Sequence, residues 1–475
     1  MISTVSRVIR ASAAYRIWAA IGAFFSGMWT GSGLLGAFLR APRDTVSCVP
    51  GRAIGALRRV QVRVFHALRL DKALRGSMFS HPEWWCALAL FASPIVPTML
   101  AAALLAAALF SVFMTFGARA ERKITPHPAN KYILLYIFVY AASIFTSVTV
   151  SGSLQGGALM CFFTFAAIIV QSAVRTRRDV TLAVTALIGG GLLVAAYGVY
   201  QYVFGASAAY AWQDPDMFGG MVRIYSTLDN PNVLAEYLLL VIPFCGAGLI
   251  ASKTMRGRLF CLASLGACAL AMVLTFSRGG WLGLIFAAAV FLLMIDRRFV
   301  FLGIAGLAAL YFLLPPAVLE RFASIGNLED GSTSYRVFIW MGTISALREY
   351  WFVGFGPGTA AFNRVYPKYA YNSIVAPHSH NLFLQIVCDS GITALVLMLL
   401  LLFSVLRRLA ASLRRDGRAS DRALRMYRIA GISAICGFAV QSMTDYSFYN
   451  YRVALMFWAV VGLSMALSGK FEDAA

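Results

Sequence analysis

Pro377-His378-Ser379-His380-Asn381-Leu382-Phe383-Leu384-Gln385 joins a long polar stretch, residues 315 to 379, to an apolar run that continues to about residue 406. A run of that length is what a helix needs to cross about 30 Å of hydrocarbon at about 1.5 Å per residue. Two histidines therefore stand at the mouth of a membrane helix. The other three, His66, His81 and His127, fall on the opposite side by the charge pattern described next. Histidine is the side chain whose ordinary pKa lies near neutrality, so His378 and His380 are the first candidates for chemistry on this face.

Working outward, similar apolar runs recur along the chain. Of its 475 residues 60% are hydrophobic and 13% charged, and the mean hydropathy is +0.73. No water-soluble core hides that much apolar surface, and the runs do not alternate as β-barrel strands do. The expected fold is all-α and integral to the membrane, with spans near 97–117, 131–149, 154–173, 180–204, 233–252, 259–276, 281–295, 299–314, 383–406, 427–443 and 449–468. A shorter helix from Trp84, cut off by Pro94 and Pro97, brings the expectation to about twelve crossings.

The net charge of +21 is distributed by side. Assigning alternate connections to one face puts 33 of the 41 basic residues on it and 8 on the other, the positive-inside pattern. Nucleic acid is thereby excluded as the reason for the charge. Both termini are expected in the cytosol and the stretches 205–232 and 315–380 outside. Within the larger outer loop, residues 334–350 predict an amphipathic helix through Val337, Phe338, Met341, Ile344, Ser345 and Leu347. Residues 1–83 form a basic, amphipathic region expected on the anionic inner leaflet. Residues 84–470 form the polytopic domain and 471–475 a cytosolic tail. Segment 17–39 is apolar enough for a membrane span or an uncleaved signal sequence, but its five glycines and flanking basic residues favour a segment lying on the membrane. Cys48 lies in the N-terminal region and the other seven cysteines in apolar runs without ligand spacing, so neither a disulfide framework nor a thiolate metal site is expected.

Three polar features stand on the outer side. Arg278, in Ser277-Arg278-Gly279-Gly280-Trp281, runs against the charge bias in a very short turn, and its glycines permit close approach of another chain or a ligand. Arg223 precedes Asp229-Asn230-Pro231-Asn232, where Asn230 fits a helix N-cap and Pro231 the first helical position. Two guanidinium groups on one face suit a diphosphate, whose oxygens they grip bidentately. Asn381, Gln385 and Asp389 follow His380 at intervals of four, a polar stripe expected to face a wet, protein-lined cavity unless it serves interhelical packing. A His-x-His pair can hold metal, but no third histidine or carboxylate cluster accompanies it in sequence, so neither metal nor cofactor is expected.

Taken in order, Arg223 through Asn232, Ser277 through Trp281, Arg336 ahead of Gly354-Phe355-Gly356-Pro357-Gly358, His378 through Gln385, and Asp389-Ser390-Gly391 resemble the O-antigen ligase and O-antigen polymerase superfamily over roughly residues 84–470. The basic extension 1–83 departs from the usual ligase pattern. The resemblance implies a multi-pass glycosyltransferase of the bacterial cytoplasmic membrane, acting on its outer face. It would move a glycan from a polyprenyl-diphosphate donor to an acceptor hydroxyl on a lipid or glycan. It also implies that Arg223 and Arg278 bind the diphosphate, that His380 is catalytic, and that Arg336 matches a recurrent arginine of the outer-loop helix. His378, after Pro377, is expected to shape the entrance. A small-anion transporter of the bicarbonate type is the rival reading, and it would need its polar residues at mid-membrane. A scaffold for synthesis partners would leave the outer cluster without a purpose.

Overall fold

In hydrocarbon the backbone must satisfy its own hydrogen bonds, which apolar runs of this length do by forming helices. The computed structural model describes residues 49–74, 76–118, 127–205, 223–296, 298–313, 315–327, 330–416, 421–469 and 471, and no strand occurs among them. The chain divides into two compact units, Met1–Arg59 and Val60–Ala475. Of the first, residues 49–59 are described, the opening turns of α1 (Val49–Ala67). Segment 17–39 and most of region 1–83 lie outside the described residues.

The second unit continues with α2 (Leu70–Leu74), α3 (Pro82–Ala92), α4 (Thr98–Ala118), α5 (Asn130–Phe145), α6 (Val150–Ala173), α7 (Arg177–Phe204), α8 (Pro231–Ala251) and α9 (Met255–Leu274). After these come α10 (Arg278–Ile295), α11 (Phe299–Leu313), α12 (Pro316–Ala323), α13 (Gly331–Tyr350), α14 (Thr359–Val365), α15 (Leu382–Asp416), α16 (Arg422–Gln441) and α17 (Tyr451–Ser468). Nine helices among the described residues are long and apolar enough to cross a membrane: α4, α6 to α10, and α15 to α17. The three further crossings that the apolar runs imply fall on shorter helices, α3 with 11 residues, α5 with 16 and α11 with 15. Helix α5 stops at Phe145 because the next turn is claimed by the loop before α14, where Val148 N–H donates to the Phe355 carbonyl at 3.0 Å.

Helices α8 and α17 form the centre, with 83% and 89% of their apolar windows buried, whereas α9 and α10 are buried over 28% and sit outside. Helix α17 packs on α6, and α16 on both α8 and α10. The starts of α8, α10 and α17, the end of α16 and the segment between α11 and α15 meet around one cavity. Basic runs at 175–178, 253–258, 407–415 and 422–428 lie at the opposite helix ends.

The outer-loop helix appears as α13, capped by Asp330, whose carboxylate accepts from the Ser332 and Thr333 amides. Ile339, Gly342, Thr343, Ala346 and Leu347 turn inward, while Met341 and Ile344 are exposed. Small Gly342 and Ala346 allow the helix to lie close on a local core that includes Phe355, Phe362, Tyr366 and Cys388.

That core reaches into α15, which is broken at Gly391 (φ 76°, ψ 177°). The chain at 351–355 fills the break: Ile392 N–H donates to Trp351 O at 2.8 Å, and Phe355 N–H to Cys388 O at 2.7 Å. A Cβ on Gly391 would lie 1.9 Å from the Phe352 carbonyl oxygen, in a backbone region that essentially only glycine adopts. Gly391→Ala is therefore expected to destabilise the protein by about 1–3 kcal/mol from the backbone alone, with the clash added. A lowered melting temperature in detergent checks this; an unchanged one would show that the wedge is not rigid.

Candidate active site

A cavity of about 940 Å³ opens where these elements meet, and four arginines line it: Arg223, Arg278, Arg321 and Arg336. Arg223 is buried ahead of α8; its Nε donates to Thr275 O at 2.8 Å and its Nη2 to Asn232 Oδ1 at 3.0 Å. Asn232 stands one residue past Pro231, and the N-cap at Asn230 fixes that turn as its motif predicts. Arg278 is the first residue of α10, whose N-cap Ser277 accepts from Gly280 N–H. Its Nη1 donates to Ser324 O and Oγ at 3.1 and 2.9 Å, and its Nη2 to Asp330 Oδ1 at 2.7 Å and to Ser332 Oγ. The fork of Arg278 is thus filled by the protein itself. The two glycines beside it admit the protein's own elements: a Cβ would fall 2.5 Å from Thr444 Oγ1 at Gly279 and 2.6 Å from Ala235 Cβ at Gly280.

Arg321, on α12, shares the same carboxylate, Nη1 to Asp330 Oδ2 at 3.3 Å. Arg336 is the least committed of the four. Its Nη1 reaches Ser332 O at 3.3 Å, its Nη2 lies 4.0 Å from Asp445 Oδ2, and its buried Nε has no hydrogen-bond partner among the described residues. Burial, then the charges of Arg321 and Arg336, lower Arg223 to about 9. Burial and then Arg278 lower Arg321 to about 10. Both remain cationic at neutral pH. Burial alone would raise Asp330, but bonds from Arg278 and Ser332 hold it down to about 2. Like charges are crowded around one cavity, and an anion entering it relieves them.

Beside the arginines stands a second constellation. His380 has φ 48°, unusual for a residue other than glycine. That backbone is held by its own N–H donating to His378 Nδ1 at 3.2 Å and by Trp340 Nε1 donating to its carbonyl at 3.2 Å. His380 Nδ1 lies 3.1 Å from Asp445 Oδ1, and Asn232 Nδ2 donates to Asp445 Oδ2 at 3.0 Å. Burial opposes a charge on Asp445, but the bond and charge of His380 and the charge of Arg336 hold its carboxyl well below the ordinary carboxylate range. An ionised carboxylate only accepts, so the proton of neutral His380 sits on Nδ1 and Nε2 carries the lone pair.

His378, expected to shape the entrance, lines the cavity. It is buried, and burial followed by the charge of His380 lowers its pKa to about 3. With Nδ1 accepting from the backbone, its ring is a neutral support for His380, the two centroids being 4.2 Å apart.

Two comparisons with known proteins bear on this arrangement. Residues 263–399 match the family model described as O-antigen ligase. The exopolysaccharide production protein ExoQ of Rhizobium meliloti (strain 1021) is 25% identical over 305 residues, covering 58% of this chain and 66% of that protein, just under two thirds of its length. The chain is thus similar to an O-antigen ligase model over residues 263–399 and, more widely, to an exopolysaccharide production protein. The segment matching the superfamily's ligase model contains Arg278, Arg321, Arg336, His378 and His380, whereas Arg223 and Asp445 lie on either side of it and are brought in by α8 and by the turn after α16.

Not every residue of the superfamily-like motifs reaches the cavity. Asn381 caps α15, its Oδ1 accepting from Phe383 and Leu384 N–H and its Nδ2 donating to Met443 O. Gln385 accepts from Ser379 N–H at 2.8 Å and donates to Asp389 Oδ1 at 2.8 Å, and Tyr140 donates to Asp389 Oδ2 at 3.0 Å. The stripe expected to face a wet cavity is instead covered by α5 and satisfied within the protein. It fixes the loop that carries His380.

The sequence offers no hint of Asp445 as a partner, since it lies 65 positions from His380. Nor does it single out Arg321, Asp330 or Asn232. Asp445 also removes the ground on which a metal was set aside: His378, His380 and Asp445 present ligand atoms within 4.8 Å of one another. Here, however, His378 Nδ1 accepts a backbone N–H and His380 bonds Asp445 directly, beside four arginines that oppose a dication. As arranged, Asp445 bonds the His380 ring, while His378 bonds the His380 backbone.

Proposed function

We propose that the protein is a glycosyltransferase that moves a glycan from a polyprenyl-diphosphate donor to an acceptor hydroxyl, without a metal. The observation that carries this reading is a histidine oriented by a buried carboxylate, set in a cavity lined by four arginines. His380 Nε2 takes the proton of the acceptor hydroxyl as that oxygen bonds to the anomeric carbon. The bond from that carbon to the diphosphate oxygen breaks, and its electron pair leaves with the diphosphate. Arg336 and Arg223 stabilise the charge that develops there, within the wider field of Arg278 and Arg321. Asp445 stabilises the imidazolium until its proton passes to solvent. Asn381, Gln385, Asp389 and His378 act by positioning the His380 loop.

A small-anion transporter fits less well, because all four arginines belong to one end of the helix bundle and to the outer segment. The basic runs at the other helix ends favour a cytosolic location for those ends, with the cavity on the outer face of a bacterial cytoplasmic membrane. Basic Arg52, Arg58, Arg59 and Arg63 alternate in α1 with exposed Leu57, Val60 and Val64, in keeping with a region 1–83 lying on the anionic inner leaflet.

In liposomes of purified protein given a lipid-diphosphate-linked glycan, release of polyprenyl diphosphate matched by glycan transfer is expected. The reaction should persist in EDTA and be lost in His380→Ala. Anion flux without release would favour the transporter, and abolition by EDTA would turn His378, His380 and Asp445 into a metal site.

A further inference from the structure

The cavity has two chemically different sides. The arginines arrive from α10, α12, α13 and the segment before α8, whereas the turn after α16 contributes Tyr446, Tyr449 and Asn450, beside Asp229 and Asn230. Asp229 keeps a carboxylate 57% exposed while one oxygen meets Arg452 Nη2 at 3.0 Å. A carboxylate repels a phosphate but accepts hydroxyls. Tyr449 is 49% exposed, although it lines the cavity and its ring centroid lies 4.7 Å from that of His378. Since the His378 ring centroid in turn lies 4.2 Å from that of His380, the rings tilted at 53°, the open ring of Tyr449 stands two ring contacts from the proposed base.

We infer that Tyr449 is the stacking platform of an acceptor-sugar subsite, which takes a neutral pyranose through its apolar C–H face while Asp229 accepts from its hydroxyls. This rests on the transferase reading above. The sugar whose hydroxyl must touch His380 Nε2 is the acceptor, and only on this side can it lie without competing with a diphosphate for the arginines. An aromatic face gives area and orientation at small entropic cost, while the polar neighbours supply direction. Charge thereby sorts the two substrates: phosphate to the arginines, neutral sugar to the tyrosine and carboxylate.

A tyrosine near a membrane surface can also serve as an interfacial anchor, so the test separates the two. Purified protein is given a saturating lipid-diphosphate-linked glycan, with methyl hexosides as probe acceptors. Tyr449→Ala is expected to raise the hexoside KM about three- to tenfold, with donor KM, kcat at saturating hexoside and melting temperature unchanged. Tyr449→Phe and Tyr449→Trp should keep the wild-type KM, and Tyr449→Leu, which has bulk without a ring face, should behave as Ala. A rise in donor KM, a wild-type hexoside KM in Tyr449→Ala, or a wild-type enzyme that releases polyprenyl diphosphate yet ignores every hexoside would overturn the subsite and leave the transferase standing. A wild-type protein that releases no diphosphate would instead remove the transferase reading on which the subsite rests.

Discussion

Asp445→Asn is expected to lower glycan transfer by about 10²–10⁴-fold while leaving donor binding close to wild type. The carboxylate accepts from His380 Nδ1 at 3.1 Å and is itself fixed by Asn232. An amide in its place can turn an N–H toward the ring, which then places the histidine proton on Nε2, where the lone pair is needed. It also withdraws the negative charge that stabilises the imidazolium. The pH behaviour gives an independent check. Asp445 has a depressed pKa, so its contribution to stability is present above the ordinary carboxylate value and is lost as pH falls below it. His378, lowered to about 3, favours the fold in its neutral form; that contribution is present above about 6.5 and fades as pH falls toward 3. Both groups keep one charge state in the folded protein from about pH 5 to 8, so a rate change in that window belongs to another group in the cavity. Purified Asp445→Asn with an undiminished kcat would sink the oriented-base assignment.

How much of this was legible in the sequence follows from what each signal encodes. Apolar run length fixes where helices are long enough to cross, so α4, α6 to α10 and α15 to α17 were foreseeable, as were the break between α3 and α4 at Pro94 and Pro97 and the cap at Asn230. Periodicity tells which residues share a face but not what covers it. Gln385 and Asp389 share a face as expected, yet Tyr140, which meets Asp389 from 249 positions away, turns that face into packing. In α13 the apolar stripe gives no sign of the side that packs on the protein, because Gly342 and Ala346 carry no apolar signal although their smallness lets the helix lie close. Asp445 sits in a short turn between two spans and looks like any outer acidic residue. Only the close approach of the end of α16 to the His380 loop, where Leu382 N–H reaches both Ser442 O and Asp445 O, makes it a partner. Motif order points to His380 and three of the arginines that line the cavity. It could not rank those arginines, because rank depends on which forks the protein already fills.

That ranking supplies the second large effect. Arg336→Ala is expected to cut transfer about 10²–10³-fold, with Arg336→Lys recovering little of it, since an ammonium restores the charge but not the planar fork. The same substitution at Arg278 should behave differently. Arg278 holds Ser324, Asp330 and Ser332, so it latches α10 to α12 and to the cap of α13. Arg278→Lys should therefore lower the melting temperature along with activity, whereas Arg336→Lys should leave it near wild type, because Arg336 bonds weakly within the protein and its Nε has no partner among the described residues. The contrast is read on purified variants as donor KM, kcat and melting temperature side by side. If Arg336→Lys keeps full activity, a point charge suffices at that position and the bidentate grip is wrong. If Arg278→Lys loses activity with its melting temperature intact, the latch is not what Arg278 contributes, and its fork must leave Asp330 to meet the diphosphate.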